Sequence, residues 1–418
     1  MQSHRAWISF QSFSSLSTIT IYITHHIPIY IKLFVSSPNL KIMPEVSVVI
    51  PSMNEEATIG RCIKDVSRAL APKHIEYEII IADNSTDKTA EIARSLGAIV
   101  IKPEKMGYGN AYLAGLSRAR GDFIVIADSD GTYDLSAIPQ FLEPLKEGVA
   151  DFVIGNRFGG TILKGAMPWH HRYIGNPLLT KILNWLFKIR VSDAHCGMRA
   201  FTREAYEKMN LKTGGMEFAS EMIIEAVRNN LRIKEVPITY YPRILPSKLH
   251  SFSDGWRHLR FMMLYKPIPF LFVPGVVIFL LGLLLSLTIL LRGNAETSHM
   301  HSLIFGSILV IIGFQTLATG IYMKAYAAVH GLCEKEGFVK KLLDYHSLEK
   351  ELIIGATLLL IGVAIGLKVV LTWINIGFGS LSEIESAVIA MVLAATGIQT
   401  IFMAIFLSVL LLEERRCQ

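Results

Sequence analysis

Phe123-Ile-Val-Ile-Ala-Asp-Ser-Asp-Gly-Thr-Tyr-Asp134 is the stretch around which the rest of the chain is read. An apolar run leads straight into Asp128 and Asp130, and Gly131 then breaks it. A continuous apolar run of this length reads as a fully buried strand, of the kind found in parallel sheets. Two carboxylates one residue apart at the carboxyl end of such a strand sit where open α/β sheets bind ligands. Their hard oxygens suit Mg2+ or Mn2+, ions usually held by one or two carboxylates plus substrate phosphates. Asp-Ser-Asp-Gly also has the composition of a plain turn. On the triplet alone both readings stand.

The flanking sequence favours the metal–diphosphate reading. From Val46 onward, apolar runs alternate with amphipathic stretches. Val46–Ile50, Tyr77–Ala82, Ala98–Ile101 and Phe152–Gly155 read as further strands, and 58–70, 83–95 and 110–120 contain helical spacing. That alternation predicts a right-handed, mostly parallel α/β sheet. Acidic or glycine-bearing loops fall at the predicted strand ends. Asn54 and Glu55 follow the first, Asp83 and Asp87 the second, and Lys105-Met-Gly-Tyr-Gly109 the third. Together they supply hydroxyl-binding carboxylates, a glycine loop for close approach, a cation and metal ligands, the inventory needed to hold a sugar nucleotide.

Hydrophobic residues are 51% of the 418 and charged ones only 18%, with the apolar excess gathered after about residue 268. Four segments, 270–291, 303–323, 353–374 and 388–412, are nearly free of charge and long enough to cross a bilayer. Lys368 is a basic intrusion that can snorkel. Connector 324–352 and the tail carry Lys and Arg, whereas 292–302 has one Arg and 375–387 none. The positive-inside rule predicts a multi-pass protein of the cell membrane with its catalytic part and C-terminus in the cytoplasm. Two amphipathic segments, 178–189 and 254–265, carry Trp and basic residues beside apolar ones; they read as interfacial helices or as helices packed on the sheet. The domain division is therefore 1–42, 43–245, an interfacial segment at 246–268, and a four-helix membrane part at 269–418. Met43 directly precedes the first strand and reads as the natural start, with residues 1–42 as a disordered or loosely membrane-associated extension in the alternative. Gly313-Phe-Gln-Thr316 recurs as Gly397-Ile-Gln-Thr400, which suggests two like hairpins with Gln315 and Gln399 at their seam. The four cysteines are widely spaced, with no CxxC pair, and predict neither zinc site nor disulfide framework. A net charge of +6 without a nucleic-acid motif fits membrane and phosphate partners, with no nucleic acid expected.

With these motifs in order, residues 46–265 resemble a family 2 glycosyltransferase of the GT-A fold, closest to the dolichyl-phosphate mannose and glucose synthases of the membrane-integrated type. The resemblance rests on Val49-Ile-Pro-Ser-Met-Asn-Glu55, Asp83-Asn-Ser-Thr-Asp87, Lys105-Met-Gly-Tyr-Gly109, Asp128-Ser-Asp130, Gly155-Asn-Arg157, Arg172 and Gly197-Met-Arg199. It implies donor contacts at Pro51, Asn54, Glu55, Asp83, Asp87, Lys105, Gly107 and Asp128, and Mg2+ or Mn2+ on Asp128 and Asp130. It implies that Arg157 and Arg172 hold an acceptor phosphate. The charge required to join two anions adds Arg199 and Lys248 as candidates, and the resemblance implies that Asn176 lies near the same phosphate. The sequence departs from some relatives at Thr132, where they have Gln, so a third metal ligand there stays open; Asn176 and Met198 differ from a common Ser and Phe. Gly165–Asn176 is more similar to the glucose-type branch.

The implied reaction moves a hexose from UDP-glucose or GDP-mannose to a dolichyl or polyprenyl phosphate, with inversion. A lipid phosphate is already ionised near neutrality, so no general base is needed. For a hydroxyl acceptor, as in polysaccharide or glycolipid synthesis, Glu221 is the best base. Processive polysaccharide synthases carry a Gln-x-x-Arg-Trp motif that this sequence lacks. A non-catalytic membrane scaffold is the remaining alternative, and the intact acidic and basic set argues against it.

Overall fold

The computed structural model describes residues 8–13, 16–23, 27–32, 43–246, 251–292, 299–332, 345–379 and 383–417. Within 1–42, β1 (Ile8–Phe13), β2 (Leu16–Ile23) and β3 (Ile27–Lys32) pair as a separate antiparallel sheet.

The catalytic part is built on seven strands: β4 (Val46–Ser52), β5 (Tyr77–Asp83), β6 (Ile99–Ile101), β7 (Phe123–Ile126), β8 (Phe152–Ile162), β9 (Arg199–Thr202) and β10 (Ile233–Tyr240). Their order is β10-β8-β9-β7-β4-β5-β6. All neighbours run parallel except β9, which is antiparallel to β7 and β8. The expected sheet is thus mostly parallel but mixed. Helices α1 (Ile59–Leu70), α2 (Thr89–Ser95), α3 (Tyr108–Arg118), α4 (Ile138–Lys146), α5 (Asn176–Phe187), α6 (Arg203–Met209) and α7 (Phe218–Arg228) complete the domain. Every residue of β4 is buried, as a central strand covered on both faces requires. Parallel β4, β5 and β7 carry their carboxyl ends to one edge, where the acidic loops gather.

The two amphipathic segments settle the choice left by the sequence. The expected apolar face of α5, with Leu183 and Phe187 buried and Leu179, Ile182 and Leu186 beside them, packs on the catalytic core. A second stripe, Ile174, Leu178, Lys181, Trp185 and Lys188, is exposed at spacings of three and four residues. Helix α8 (Ser251–Tyr265) repeats the arrangement: Phe261, Met262 and Tyr265 are buried in the core, and Phe252, Trp256, Arg257 and Arg260 are exposed. Each helix therefore has both a core face and an aromatic-basic outer face.

Among the described residues four helices follow: α9 (Val273–Arg292), α10 (Met300–Val329), α11 (Tyr345–Asn375) and α12 (Ile384–Cys417). With the π-helical turn Ile268–Phe272 that leads into α9, the described residues include four segments long and apolar enough to cross a membrane, Ile268–Arg292, Met300–Val329, Leu348–Asn375 and Ile384–Leu410. The hairpins repeat one packing scheme. A Cβ on Gly282 would lie 2.6 Å from the Val310 nitrogen, and one on Gly362 2.6 Å from the Ala394 nitrogen. Gly313 likewise abuts Phe279, and Gly397 abuts Leu359. Small residues let backbones approach where no hydrophobic effect drives helices together. The proposed glutamine seam is not formed: Gln315 is exposed, and the Gln399 side-chain oxygen is buried with no partner among the described residues. The hairpins meet instead through Ala318, Ala325, Met403 and Leu407, with Tyr322 and Phe406 rings 5.0 Å apart.

Polar contacts tie α8 and the end of α10 to the catalytic part. Tyr265 Oη donates to Glu225 at 3.1 Å, and Arg228 donates to the Gly331 carbonyl, just past α10, at 3.1 Å. His258 Nδ1 lies 2.8 Å from Ser220 Oγ, and its ring meets that of His195 edge-on with centroids 4.6 Å apart.

Candidate active site

Asp128 and Asp130 follow β7 and hold different company. Asp128 Oδ1 accepts from Tyr108 Oη at 2.9 Å and Tyr112 Oη at 3.2 Å, both on α3. Its Oδ2 has no hydrogen-bond donor among the described residues and faces Gly197, where a Cβ would sit 2.5 Å away. Glycine keeps that oxygen open. Burial first and the adjacent Asp130 charge second push the Asp128 carboxyl up to about 6. Asp130 Oδ1 accepts from Thr132 N at 3.0 Å and Thr132 Oγ1 at 2.6 Å, so Thr132 orients Asp130. Asp130 Oδ2 is paired with Arg243, which reaches in from just beyond β10.

The predicted donor loops converge on the same edge. Ser129 Oγ donates to the Pro51 carbonyl at 2.8 Å, tying the aspartate turn to the end of β4. Asn54 takes a positive φ of 54° and bridges to the β5 loop, accepting from Thr86 N at 2.8 Å. Asp83 accepts from Ser85. Buried Glu55 lies in the electrostatic reach of Arg243, together with Asp128 and Asp130. Lys105 is exposed at the loop tip. Gly107, at φ 138°, and Gly109 press against the carbonyls of Thr213 and Gly214. Asp87 accepts from Thr89 N at 3.0 Å and Glu56 N at 3.2 Å, and so fixes the loop.

The expected phosphate-binding cations separate into two kinds. Arg157 is buried in a two-pronged pair with Asp193, at 2.6 and 2.8 Å, with its guanidinium 5.1 Å from the Tyr240 ring centre. Arg199 is fully buried and donates to the carbonyls of Cys196, Ala219 and Ala194. In both, a buried cation is already satisfied by protein acceptors, an arrangement suited to packing. Arg172 is different. It lies on the π-helical turn His171–Gly175, half exposed, over the Tyr173 ring. Asn176 begins α5 one turn on, with Nδ2 3.6 Å from Met167 Sδ. Lys248 lies outside the described residues.

Comparison with known proteins now adds to the geometry. Residues 47–209 match the family described as glycosyl transferase family 2, and residues 321–411 match its C-terminal transmembrane region. A Haloferax volcanii protein described as "Low-salt glycan biosynthesis hexosyltransferase Agl6" is 43% identical over 370 residues, 88% of this chain and 89% of its own. The chain belongs to glycosyltransferase family 2. A Haloferax volcanii dolichyl-phosphate hexose transferase is 34% identical over 213 residues, covering 50% of this chain and 89% of its own. Among solved structures, glucosyl-3-phosphoglycerate synthase of Mycobacterium tuberculosis is similar at 25% identity and a TM-score of 0.43, covering 53% of this chain and 79% of that one.

Glu221 of this glycosyltransferase is nearly fully buried, and burial raises its pKa. Both oxygens accept from the 212–213 backbone: Oε1 from Lys212 N at 3.0 Å and Oε2 from Thr213 N at 3.0 Å. The carboxylate thus anchors the loop against which Gly107 and Gly109 rest, an arrangement unlike that of a general base exposed to an acceptor. Sequence reasoning missed Tyr108 and Tyr112, although their spacing of four residues places both on one face of α3. It missed Arg243 because β10, which delivers it, was not read as a strand. Nothing in the sequence marked Asp193 as the partner of Arg157.

Proposed function

We propose that this family 2 glycosyltransferase moves one hexose from a nucleotide sugar, UDP-glucose or GDP-mannose, to a dolichyl or polyprenyl phosphate at the cytoplasmic membrane face. One observation carries the reading. The cationic turn with Arg172 and Asn176 lies inside a patch of outward aromatic and aliphatic side chains, Trp169, Tyr173, Ile174, Leu178 and Trp185, several more than 60% exposed. Exposed apolar surface with basic residues fits a lipid surface, and a phosphate among lipid chains is the anion such a turn can meet. The names of the two Haloferax relatives support a hexose donor and a lipid phosphate acceptor. Lysine-rich connectors on one side of the spans support the cytoplasmic orientation.

The residues at β7 fit a divalent metal. Asp128 Oδ2 faces a cradle that a Cβ on Gly197 would fill, and among the described residues no third His, Cys, Asp or Glu joins the pair. Two carboxylates leave room for substrate phosphates, the usual manner of binding Mg2+ or Mn2+. Asp128 and Asp130 would hold the ion, which when bound neutralises the charge developing on the leaving diphosphate. Pro51, Asn54, Glu55, Asp83 and the Lys105–Gly109 loop line the donor edge, while Arg172 and Asn176 orient the acceptor. A phosphate oxygen of the lipid attacks the anomeric carbon, the bond to the diphosphate breaks from the opposite face, and the configuration inverts. No proton needs abstraction, so the anchored Glu221 has no role as base.

The test incubates detergent-solubilised full-length protein with Mn2+, a polyprenyl phosphate and radiolabelled UDP- and GDP-hexoses. Label from one donor in the organic phase supports the reading and names the sugar. Label only on an added hydroxyl acceptor overturns it.

A further inference from the structure

The second metal-binding carboxylate already has a cation. Arg243 Nε donates to Asp130 Oδ2 at 2.9 Å, and Nη2 engages the same oxygen. The other oxygen of Asp130 is taken by the two Thr132 donors. Oδ2 is therefore the oxygen left for a metal, and an internal guanidinium sits on it. The charge logic is direct, since two neighbouring carboxylates in a buried setting repel each other unless a cation stands by.

Arg243 belongs to a distinctive piece of chain. Tyr241 N donates to the Thr132 carbonyl at 2.9 Å, which pins the exit of β10 beside the aspartate turn. Two residues on comes Arg243, its side chain 26% exposed, and the same segment continues toward interfacial helix α8. Whatever moves Arg243 also moves the link between the catalytic edge and the membrane-facing helix.

We infer that Arg243 is a built-in placeholder cation, which neutralises the unloaded Asp128–Asp130 pair and has to leave Asp130 before a divalent ion can bind. The inference rests on the proposed metal role of the two aspartates. Metal loading then exchanges one cation for another and frees the 241–246 segment, so donor-site occupancy is reported to α8. The exchange reduces metal affinity in the free enzyme and favours loading by a metal already carried on a nucleoside diphosphate, whose phosphates give the released guanidinium a new anion.

The experiment titrates Mn2+ into nucleotide-free, full-length protein in detergent and reads unbound Mn2+ by electron paramagnetic resonance. Charge-assisted hydrogen bonds of this kind contribute about 1.5–3 kcal/mol, so Arg243→Gln should bind Mn2+ roughly tenfold tighter or more. Arg243→Lys, which keeps the charge and loses the fork, should tighten binding only a few-fold and serves if the glutamine variant does not fold. Proteolysis within 241–246 should speed up on Mn2+ addition in the wild type and be fast in Arg243→Gln without it. Equal or weaker Mn2+ binding by both variants overturns the placeholder role and leaves the metal site standing. Absence of Mn2+ binding by every form, with or without nucleoside diphosphate, overturns the metal assignment itself.

Discussion

Gly197→Ala isolates the open oxygen of Asp128 from every other feature of the site. Gly197 is not among the positive-φ residues, so alanine meets no backbone penalty there. Only space matters. The new Cβ would lie 2.5 Å from Asp128 Oδ2, 3.1 Å from its Cγ and 3.2 Å from Tyr133 Oη. Ordinary contact begins at 3.4 Å, so the carboxylate has to retreat by about 0.9 Å. Its other oxygen is held by Tyr108 and Tyr112, which restricts the escape to a rotation that turns Oδ2 away. A displacement near 1 Å in a reacting constellation costs about 10²-fold in rate. Overpacking by one methyl group costs about 1–3 kcal/mol of stability. The assay pairs lipid-phosphate glycosylation at saturating donor with Mn2+ affinity and a melting curve. A folded Gly197→Ala protein should lose about a hundredfold in turnover and bind Mn2+ more weakly. Retention of both at wild-type level would refute the assignment of Asp128 Oδ2 as a metal ligand.

Arg157→Ala should act on stability: removing one partner strands buried Asp193, at a cost of about 3–5 kcal/mol, visible as a lowered melting temperature. Unchanged stability with a selective rise in acceptor KM would restore Arg157 to the acceptor site. Arg172→Ala should raise the KM for polyprenyl phosphate at least tenfold with little change in donor KM; equal loss of both contradicts its placement. Burial pushes His258 down to about 4 from 6.5, with Asp254 opposing and Arg199 adding to the shift. The unfolded chain then binds the extra proton between those values, so stability is retained above 6.5 and lost as pH falls toward 4, by about 3 kcal/mol. His258→Gln should flatten that part of the urea-midpoint profile, and an unaltered profile assigns the acid sensitivity elsewhere.

The parts of this enzyme legible in its sequence are those with a strong local period. The β4, β5 and β7 runs, the four spans and the loops at strand ends were all readable because apolar continuity and turn chemistry are written in neighbouring residues. β9 was not. Arg199-Ala-Phe-Thr202 is four residues long, opens with a charge, and becomes a strand by slotting antiparallel between β7 and β8. The partners of the arginines were hidden for a related reason. A free phosphate-binding cation and a buried structural one look alike in sequence, and only the distant Asp193 or the carbonyls of Cys196, Ala219 and Ala194 distinguish them. The amphipathic α5 was read with one apolar face when it has two, since the outer stripe interleaves Lys181 and Lys188 with Ile174, Leu178 and Trp185.

That outer stripe has a practical consequence for anyone handling the enzyme. Cutting the chain ahead of Ile268 removes all four spans yet leaves Trp169, Leu178, Trp185, Phe252 and Trp256 on the surface. Such a fragment retains a greasy, basic underside and would behave as a peripheral protein, sedimenting with anionic vesicles and clumping without detergent. Vesicle sedimentation of that fragment therefore separates what the outer stripe contributes to membrane binding from what the spans contribute.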